Sequence, residues 1–349
     1  MHPATTLLRS PVVPFVIAAT TACANPDSSV GVAPIGVSAS RGAEVAATAE
    51  LFVTGLPSAF GSIIGSAVGP GGALFVTDPT NGRILRVDPK TGAVTTFASG
   101  LPPSLIGGVT DVAFIGETAY ALVTLVGPDI GGTDVVGIYR IDGPASFTII
   151  ADVGAFALAN PPKTDFFVPT GVQYALQPFR GGFLVTDGHH NRVLRVTLDG
   201  NVSEVLALGD VVPTGLAVSG NTVYVAEAGP LPHLPADGRL IAFTPESTSP
   251  ALVAAGFRLL VDVEFGRGRT LFALSNGVWD GVEPGEPALP NTGALARVNG
   301  DGTFTTVVDG LDRPTALEVI GNTAYVFTLG GEIWRVDNVA GPPFGKQHL

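Results

Sequence analysis

The chain has 349 residues, a formal net charge of −12 and only 14% charged residues. Glycine (46 residues) and proline (29) are abundant, which is typical of many short strands joined by turns, and a hydrophobic content of 46% argues against a disordered chain. The acidic balance, unbroken by any basic cluster, argues against nucleic acid as a partner, because negative charges repel the phosphate backbone.

The first residues have the pattern of an export signal. Arg9 precedes an apolar stretch at 11–19, and Ala22-Cys23-Ala24 matches the small-x-small pattern of a signal-peptidase site. We therefore predict a signal peptide over 1–24 and a secreted or periplasmic protein.

Cleavage before Cys23 is the alternative, and it would leave a lipid anchor at the cell envelope. Cys23 is the only cysteine, so neither reading allows a disulfide within the chain. Residues 25–47, rich in Gly, Ala and Ser, are predicted to be a flexible linker. The apolar stretches are too short to predict a transmembrane segment.

From residue 48 onward, one pattern recurs six times. Each unit begins with a short apolar strand, a tight turn and a second strand that carries an aromatic residue. A third strand follows, with Arg at its centre in five units, and then a turn and an outer strand. The repeated aromatic residues are Phe75, Tyr120, Phe183, Tyr224, Phe272 and Tyr325, and the repeated arginines are Arg86, Arg140, Arg195, Arg297 and Arg335.

Six units of four strands predict an all-β fold, a six-bladed β-propeller of four-stranded antiparallel blades over 48–339, followed by a tail at 340–349. The sixth unit lacks its outer strand, whereas the segment AELFVTGLP at 49–57 matches one. We therefore predict that the N-terminal strand completes the last blade and closes the ring.

The longest insertions are predicted to lie on one face of the propeller. They fall in the links between second and third strands and between blades, at 127–134, 155–168, 229–237 and 276–292. Elaborated loops on one face of a rigid scaffold are typical of a surface that binds a small molecule or a protein partner. Neutral drift in tolerant loops is the alternative.

Asp111 and Asp262 stand at the starts of innermost strands, where alignment gives Gly171, Gly215 and Ala316 in other units. Two carboxylates at the channel mouth could bind a divalent cation such as Ca²⁺. The alternative is that each caps a turn between blades by accepting main-chain N–H groups, and two acids are few for such a cation. The threonines beside these starts complete the candidate set: Thr170, Thr214 and Thr315.

Three histidines lie in links on the same face, His189 and His190 in unit three and His233 in unit four. Imidazoles suit transition metals and acid–base chemistry, although adjacent histidines in a turn are usually solvated. Trp279 lies among acidic residues in the longest insertion. It could stack on a ring or a cation in a ligand, or it could pin its own loop to the blade.

Second strands end with an acid in three units, which predicts turn capping: Asp78, Asp187 and Glu227. The sequence contains no G-x-S-x-G elbow, no H-E-x-x-H pair, no P-loop and no dinucleotide fingerprint. These observations predict no cofactor beyond a possible divalent cation and favour a protein that is not an enzyme.

The strings VPTGLAVSGNTVYVAEAG, GFLVTDGHHNRVLRVTLDG and LVDVEFGRGRTLFALS resemble the ScyD/ScyE family of bacterial propellers. They are more loosely similar to NHL-repeat and gluconolactonase-like (SMP-30) propellers. The resemblance covers about residues 48–338 and implies an exported six-bladed propeller with no agreed reaction. The gluconolactonase-like comparison implies a channel metal held by Glu, Asn and Asp, but the inner-strand starts of this chain offer only Asp111 and Asp262.

Two hypotheses follow. The first is an exported binding or scaffold propeller that holds a small molecule or protein on the insertion-rich face around the channel. The second is a metal-dependent hydrolase, such as a lactonase, with Asp111 and Asp262 beside the metal.

Overall fold

The computed structural model describes residues 47–59, 64–247, 249–281 and 285–340. The predictions for the signal peptide, the linker up to residue 46, Cys23 and the tail from 341 lie outside the described residues. The described part forms six four-stranded antiparallel sheets, which confirms the predicted six-bladed propeller.

The strands follow one another in chain order. The first half contains β1 (Thr48–Val53), β2 (Ser66–Val68), β3 (Leu74–Asp78), β4 (Arg83–Val87), β5 (Val94–Ser99), β6 (Gly108–Ile115), β7 (Thr118–Thr124), β8 (Gly137–Gly143), β9 (Ser146–Asp152), β10 (Gln173–Phe179), β11 (Gly182–Asp187), β12 (Arg192–Thr197) and β13 (Val202–Ala207). The second half contains β14 (Pro213–Ser219), β15 (Thr222–Glu227), β16 (Gly238–Phe243), β17 (Ala251–Phe257), β18 (Leu260–Phe265), β19 (Leu271–Ser275), β20 (Gly293–Val298), β21 (Phe304–Leu311), β22 (Pro314–Ile320), β23 (Thr323–Thr328) and β24 (Ile333–Asp337).

Each of the first five blades takes four consecutive strands, innermost first, and blade one starts at β2. The sixth blade runs β22-β23-β24 and is completed by β1, as predicted. In that pairing Thr48 lies opposite Asp337 and Val53 opposite Ile333. The N-terminal strand therefore closes the ring by pairing with β24, and it is the outer strand of the last blade.

Aromatic residues of the repeat fill the spaces between blades. The ring of Phe75 in blade one lies 4.6 Å from that of Phe114 in blade two, and Tyr120 lies 4.8 Å from Phe183 in blade three. Second strands are buried along their length, as in β3, whereas outer strands such as β13 consist mostly of exposed and half-buried residues. Burial of these apolar layers holds neighbouring blades face to face.

Blade three differs from the predicted alignment by one hairpin position. In blade one the repeated aromatic residue Phe75 lies opposite Arg86. In blade three, however, the residue opposite Arg195 is Leu184 and not Phe183. The inner strand of blade three is also displaced along the chain. The main-chain N–H of Ala175 donates to Thr186 Oγ1, as that of Gly65 donates to Thr77 Oγ1 in blade one, so Ala175 occupies the inner position of blade three. The assignment of Gly171 to the inner-strand start was therefore wrong, since four extra residues precede this strand in blade three.

The insertion between blades two and three begins with a short helix, α1 (Val153–Ala159). Asp152 caps it, because its Oδ1 accepts a hydrogen bond from the N–H of Ala155 at 2.7 Å. Single 3₁₀ turns occupy Pro70–Gly72, Pro79–Asn81, Pro128–Ile130 and Arg267–Arg269. Among the described residues, no helix has the length and hydrophobicity needed to cross a membrane.

Candidate binding cavity at the mouth of the channel

A cavity of about 800 Å³ lies where the innermost strands begin. Its wall includes residues from the inner strands of all six blades and from the insertion-bearing links. This volume is within the range of about 300–1,000 Å³ that is usual for small-molecule pockets. The insertions and the channel mouth, which the sequence placed on one face, therefore belong to one cavity.

Apolar side chains surround the opening. Ile106, Phe167 and Leu231 come from three different links, line the cavity and remain exposed to solvent. Leu105, Phe166 and Leu234 are exposed beside them. We call these six residues the apolar rim. Large apolar groups gathered on one exposed surface commonly mark a binding site.

Asp111 and Asp262 each join two blades. Asp111 Oδ1 accepts from the N–H of Val112 at 2.8 Å, and its Oδ2 accepts from the N–H of Leu176 in blade three at 2.7 Å. Asp262 repeats this pattern with Val263 at 2.8 Å and with Leu317 of blade six at 2.7 Å. These bonds are the kind expected from the capping alternative, with the next blade as the second partner.

The residues at this inner position follow a three-blade repeat: Gly65, Asp111 and Ala175 in the first half, then Gly215, Asp262 and Ala316 in the second. The glycines make room for the carboxylates. A Cβ added at Gly65 would lie 2.4 Å from Asp111 Oδ1, and one at Gly215 would lie 2.5 Å from Asp262 Oδ1. Each aspartate thus packs against one neighbouring blade and accepts a hydrogen bond from the other.

A divalent metal of the gluconolactonase-like kind does not fit these two aspartates. Both oxygens of each carboxylate already accept main-chain N–H groups, and the two residues lie on blades two and five, three blades apart. Within the described ranges, no three His, Cys, Asp or Glu side chains converge as metal ligands would. A hard cation requires six or more oxygen ligands.

Two glutamates that sequence reasoning missed form the polar end of the cavity. Glu264 lies opposite Phe272 and Glu318 opposite Tyr325. Each glutamate is two residues further along its strand than the inner position occupied by Asp262 and Ala316. Both line the cavity, together with Asp262. We call Asp262, Glu264 and Glu318 the acidic sector. The matching residues of the other blades are Ala67, Ala113, Gln177 and Ala217.

The fold itself does not require the two glutamates, because four blades have uncharged residues at the same position. Glu318 is 8% exposed, and its Oε1 accepts from Ser66 Oγ at 3.1 Å. Glu264 Oε2 accepts from the N–H of Phe265 at 3.1 Å. Neither glutamate has an ion pair with a basic side chain of the described residues.

Burial raises the pKa of every carboxyl group in this sector. The pKa of Asp262 rises to about 7. Burial and then the neighbouring negative charges raise the pKa of Glu264 well above its usual value, and burial and Asp262 raise that of Glu318. Asp111, across the channel, has a raised pKa for the same first reason. The sector therefore holds protons near neutral pH and would ionise if a cation entered.

The three predicted threonines do different things. Thr214 Oγ1 donates to Ala226 O and to Leu260 O of the next blade, so it serves the packing of the blades. Thr315 lines the cavity, and its buried Oγ1 has no hydrogen-bond partner among the described residues. Thr170 is not at an inner-strand start. Its N–H and Oγ1 donate to Asp129 Oδ2, at 3.0 and 2.7 Å, and tie two insertions together.

His189 and His190 hold the loop that forms one wall of the cavity. His189 Nε2 accepts from the N–H groups of Phe167 and Val168, at 2.8 and 3.0 Å. His190 Nε2 donates to Val168 O at 3.0 Å, and its Nδ1 lies 3.1 Å from Asp187 Oδ2. The expectation that adjacent histidines are solvated was wrong for His190, which is only 2% exposed.

His233 lines the cavity, and Trp279 supports it from the neighbouring insertion. Their rings meet edge to face, with centroids 5.4 Å apart. Trp279 Nε1 donates to Glu286 O of the same insertion at 3.0 Å, and its side chain packs against the buried cluster of Ala228, Leu259 and Ala288. Burial lowers the pKa of His233.

The acids that end the second strands form ion pairs with arginines of the third strands. Asp78 pairs with Arg83, Asp187 with Arg192 and Glu227 with Arg239. Asp78 also accepts from the N–H of Asn81 at 3.3 Å. Turn capping is therefore present at Asp78, whereas the feature that all three acids share is an ion pair between the second and third strands of a blade.

The fold and the cavity define a six-bladed β-propeller with a ligand-sized channel mouth. No protein-family model matches the chain, and no curated protein matches it in sequence. Many solved structures share its fold.

Among these structures, the PQQ-bound form of aldose sugar dehydrogenase from Streptomyces coelicolor has 16% sequence identity and a TM-score of 0.55, covering 83% of this chain and 98% of that one. A gluconolactonase from Xanthomonas campestris has 14% identity and a TM-score of 0.55, covering 80% and 88%. Virginiamycin B lyase from Staphylococcus aureus has 14% identity and a TM-score of 0.51, covering 83% and 99%. At these identities the likeness concerns the fold, which supports the looser propeller resemblance and not membership of the ScyD/ScyE family.

Proposed function

We propose that this propeller binds a small amphiphilic molecule, with an apolar body and an amine at one end, in the cavity at the channel mouth. The observation that carries the proposal is one cavity of about 800 Å³ with an apolar rim at its opening and an acidic sector further along the channel. The apolar body would lie against the rim, and the amine would reach the acidic sector.

The apolar rim supports the first half of this proposal. Ile106, Phe167 and Leu231 expose side chains that a ligand would remove from water, and each fully buried side chain of this size contributes about 1.5–3 kcal/mol. These residues come from separate links, so no single strand or turn needs them to be apolar.

The acidic sector supports the second half. Glu318 is buried, and Asp262 and Glu264 are half-buried in the cavity wall. Loss of hydration and mutual repulsion oppose the ionisation of these carboxyl groups in the empty protein. An ammonium group supplies the missing opposite charge and donates hydrogen bonds. Binding would therefore ionise carboxyl groups and release protons, and an anionic ligand end would be rejected.

The lactonase alternative has no comparable support. Its metal would depend on Asp111 and Asp262, whose oxygens bind the main chain of two blades. A non-catalytic binding role outside the cytoplasm also agrees with the signal pattern around Ala22-Cys23-Ala24.

The experiment compares three ligands that share one apolar chain: dodecylamine, dodecanol and dodecanoic acid. Each is titrated, below its micelle concentration, against N-phenyl-1-naphthylamine bound to the purified protein, and displacement is followed by fluorescence. We expect dodecylamine to bind at least tenfold more tightly than dodecanol, and dodecanoic acid to bind most weakly. No displacement of the probe by any of the three would contradict the proposal.

Two matched pairs of variants separate the rim from the acidic sector. Phe167→Ser should weaken the binding of all three ligands. Leu252→Ser is its control and should not, because Leu252 is equally exposed, at 64%, but lies on the outer strand β17. Glu318→Gln should remove the preference for the amine. Glu246→Gln is its control, because Glu246 is exposed and pairs with Arg180 away from the cavity.

A further inference from the structure

We propose that residues Phe166–Val168 form a lip of the cavity that is latched by His189 and released when this histidine is protonated. Phe167 and Val168 line the cavity, and Phe167 belongs to the apolar rim. The release of the lip requires no ligand. Its effect on ligand retention rests on the function proposed above.

The lip is attached through three hydrogen bonds to the two histidines. His189 Nε2 accepts two of them, from the N–H groups of Phe167 and Val168. His190 donates the third, to Val168 O. The rings add edge-to-face contacts, with His189 4.1 Å from Phe167 and His190 5.1 Å from Phe166 between centroids.

The next two residues along the chain, Asn191 and the first residue of β12, anchor the remainder of the insertion. Asn191 Nδ2 donates to Thr164 Oγ1 at 3.3 Å, and Arg192 donates to Asn160 O at 2.7 Å. Asn191 Oδ1 also accepts from the N–H of Val212, another cavity residue, at 2.8 Å. The segment His189–Arg192 therefore holds two parts of the cavity wall, and the two histidines hold the part that ends at the rim.

The direction of the switch follows from the hydrogen bonds of His189. Its Nε2 accepts from two N–H groups, so this nitrogen carries no proton while the lip is closed, and the ring is neutral with its proton on Nδ1. Protonation would point a third N–H at the two donors and break both bonds. His190 is not the switch, because its Nε2–H donates to Val168 O whether the ring is neutral or charged.

The surroundings of His189 agree with this direction. Burial and then His190 lower the pKa of His189, while Asp187 in the same link and Asp210 in the link to blade four act against them. The closed lip thus binds fewer protons than the open one. The contribution of His189 to the stability of the closed lip is fully present above the ordinary histidine pKa of about 6.5. It is lost as the pH falls from that value through the lower pKa of His189 in the closed lip.

Hydrogen exchange of the full, ligand-free chain tests the latch directly, because the amides of Phe167 and Val168 are themselves the donors. Rates are corrected for intrinsic exchange at each pH. We expect their protection to fall several-fold between pH 7.5 and pH 5.5, up to the limit of about tenfold that one histidine with an ordinary pKa of about 6.5 in the open lip allows. In His189→Gln, whose amide oxygen can accept but cannot titrate in this range, the corrected protection should not change with pH. His233→Gln, another cavity histidine, should retain the behaviour of the unmodified chain.

Protection that does not depend on pH in the unmodified chain would overturn the latch, and so would an unaltered pH dependence in His189→Gln. If that variant does not fold, an NMR titration of His189 in the unmodified chain gives the answer: a pKa at or above 6.5 contradicts the proposal. Binding of N-phenyl-1-naphthylamine at both pH values is measured separately. If the probe binds at neither pH value, the proposed function is contradicted. The hydrogen-exchange result still tests the latch in that case, because release of the lip requires no ligand.

Discussion

The carboxylate of Asp262 on blade five accepts a hydrogen bond from the main-chain N–H of Leu317 on blade six, at 2.7 Å. Its other oxygen accepts from Val263 on its own strand. Asp111 repeats this arrangement between blades two and three. The two aspartates, which the sequence suggested as metal ligands, therefore link the inner strands of neighbouring blades through hydrogen bonds.

Replacement of Asp262 by alanine should destabilise the propeller. Two buried N–H groups would lose their acceptor, which we expect to cost about 2 kcal/mol of unfolding free energy after allowing for the unfavourable burial of the carboxyl. Urea unfolding measures the change. Asp111→Ala should give a similar loss, and Asp280→Ala, in an exposed loop, should change stability by less than about 0.5 kcal/mol. Equal stability of Asp262→Ala and the unmodified chain would show that the hydrogen bonds of Asp262 between blades do not stabilise the propeller.

Glu318→Gln should stabilise the protein at high pH. A carboxyl whose pKa is raised on folding is more easily ionised in the unfolded chain, so it lowers stability as the pH rises from about 4.5 through the folded pKa. We expect the variant to gain about 1 kcal/mol or more at pH 8 and nothing near pH 4.5. Thermal melts across this range measure the difference. A gain of the same size in Glu246→Gln, the exposed control, would show that the effect does not come from the cavity.

Chelation of divalent metals should not change the melting temperature of the purified protein. Asp111 and Asp262 already use their oxygens for main-chain hydrogen bonds, and no other trio of ligands converges in the part of the chain that the structure describes. Melts with and without EDTA, combined with elemental analysis, are the measurement. A near-stoichiometric metal whose removal lowers the melting temperature would restore the metal-dependent hydrolase hypothesis.

Because β1 closes the ring, substitution of its buried side chains should lower the unfolding free energy more than substitution of its exposed ones. Val53 is buried beside Ile333 in the core of the last blade, whereas Leu51 on the same strand is 45% exposed. Val53→Asp should therefore cost about 3 kcal/mol, since it buries an unpaired charge. Leu51→Asp should cost under about 1 kcal/mol. Denaturant unfolding distinguishes the two, and equal losses would mean that β1 does not pack as described.

Parts of the candidate site were within reach of sequence reasoning. The inner strands of units five and six contain Glu264 and Glu318 where Ala67, Ala113 and Ala217 stand in other units. A comparison of the aligned strands could have found them, because a charge at a position that is otherwise apolar is an evident departure. In blade three the alignment placed Gly171 where the hydrogen bonds place Ala175, since extra residues before a strand leave no mark on its repeat pattern.

The sequence by itself determined the number of blades, the order of strands and the closure by the N-terminal strand. These features depend on local periodicity, on turn residues and on the missing outer strand of the last unit, all of which are written along the chain. Only the tertiary structure decided what Asp111, Asp262, His189 and His190 contact. Their partners, such as Leu176, Leu317 and Val168, belong to other blades or links, and a hydrogen bond across such a gap depends on how the blades pack rather than on neighbouring residues.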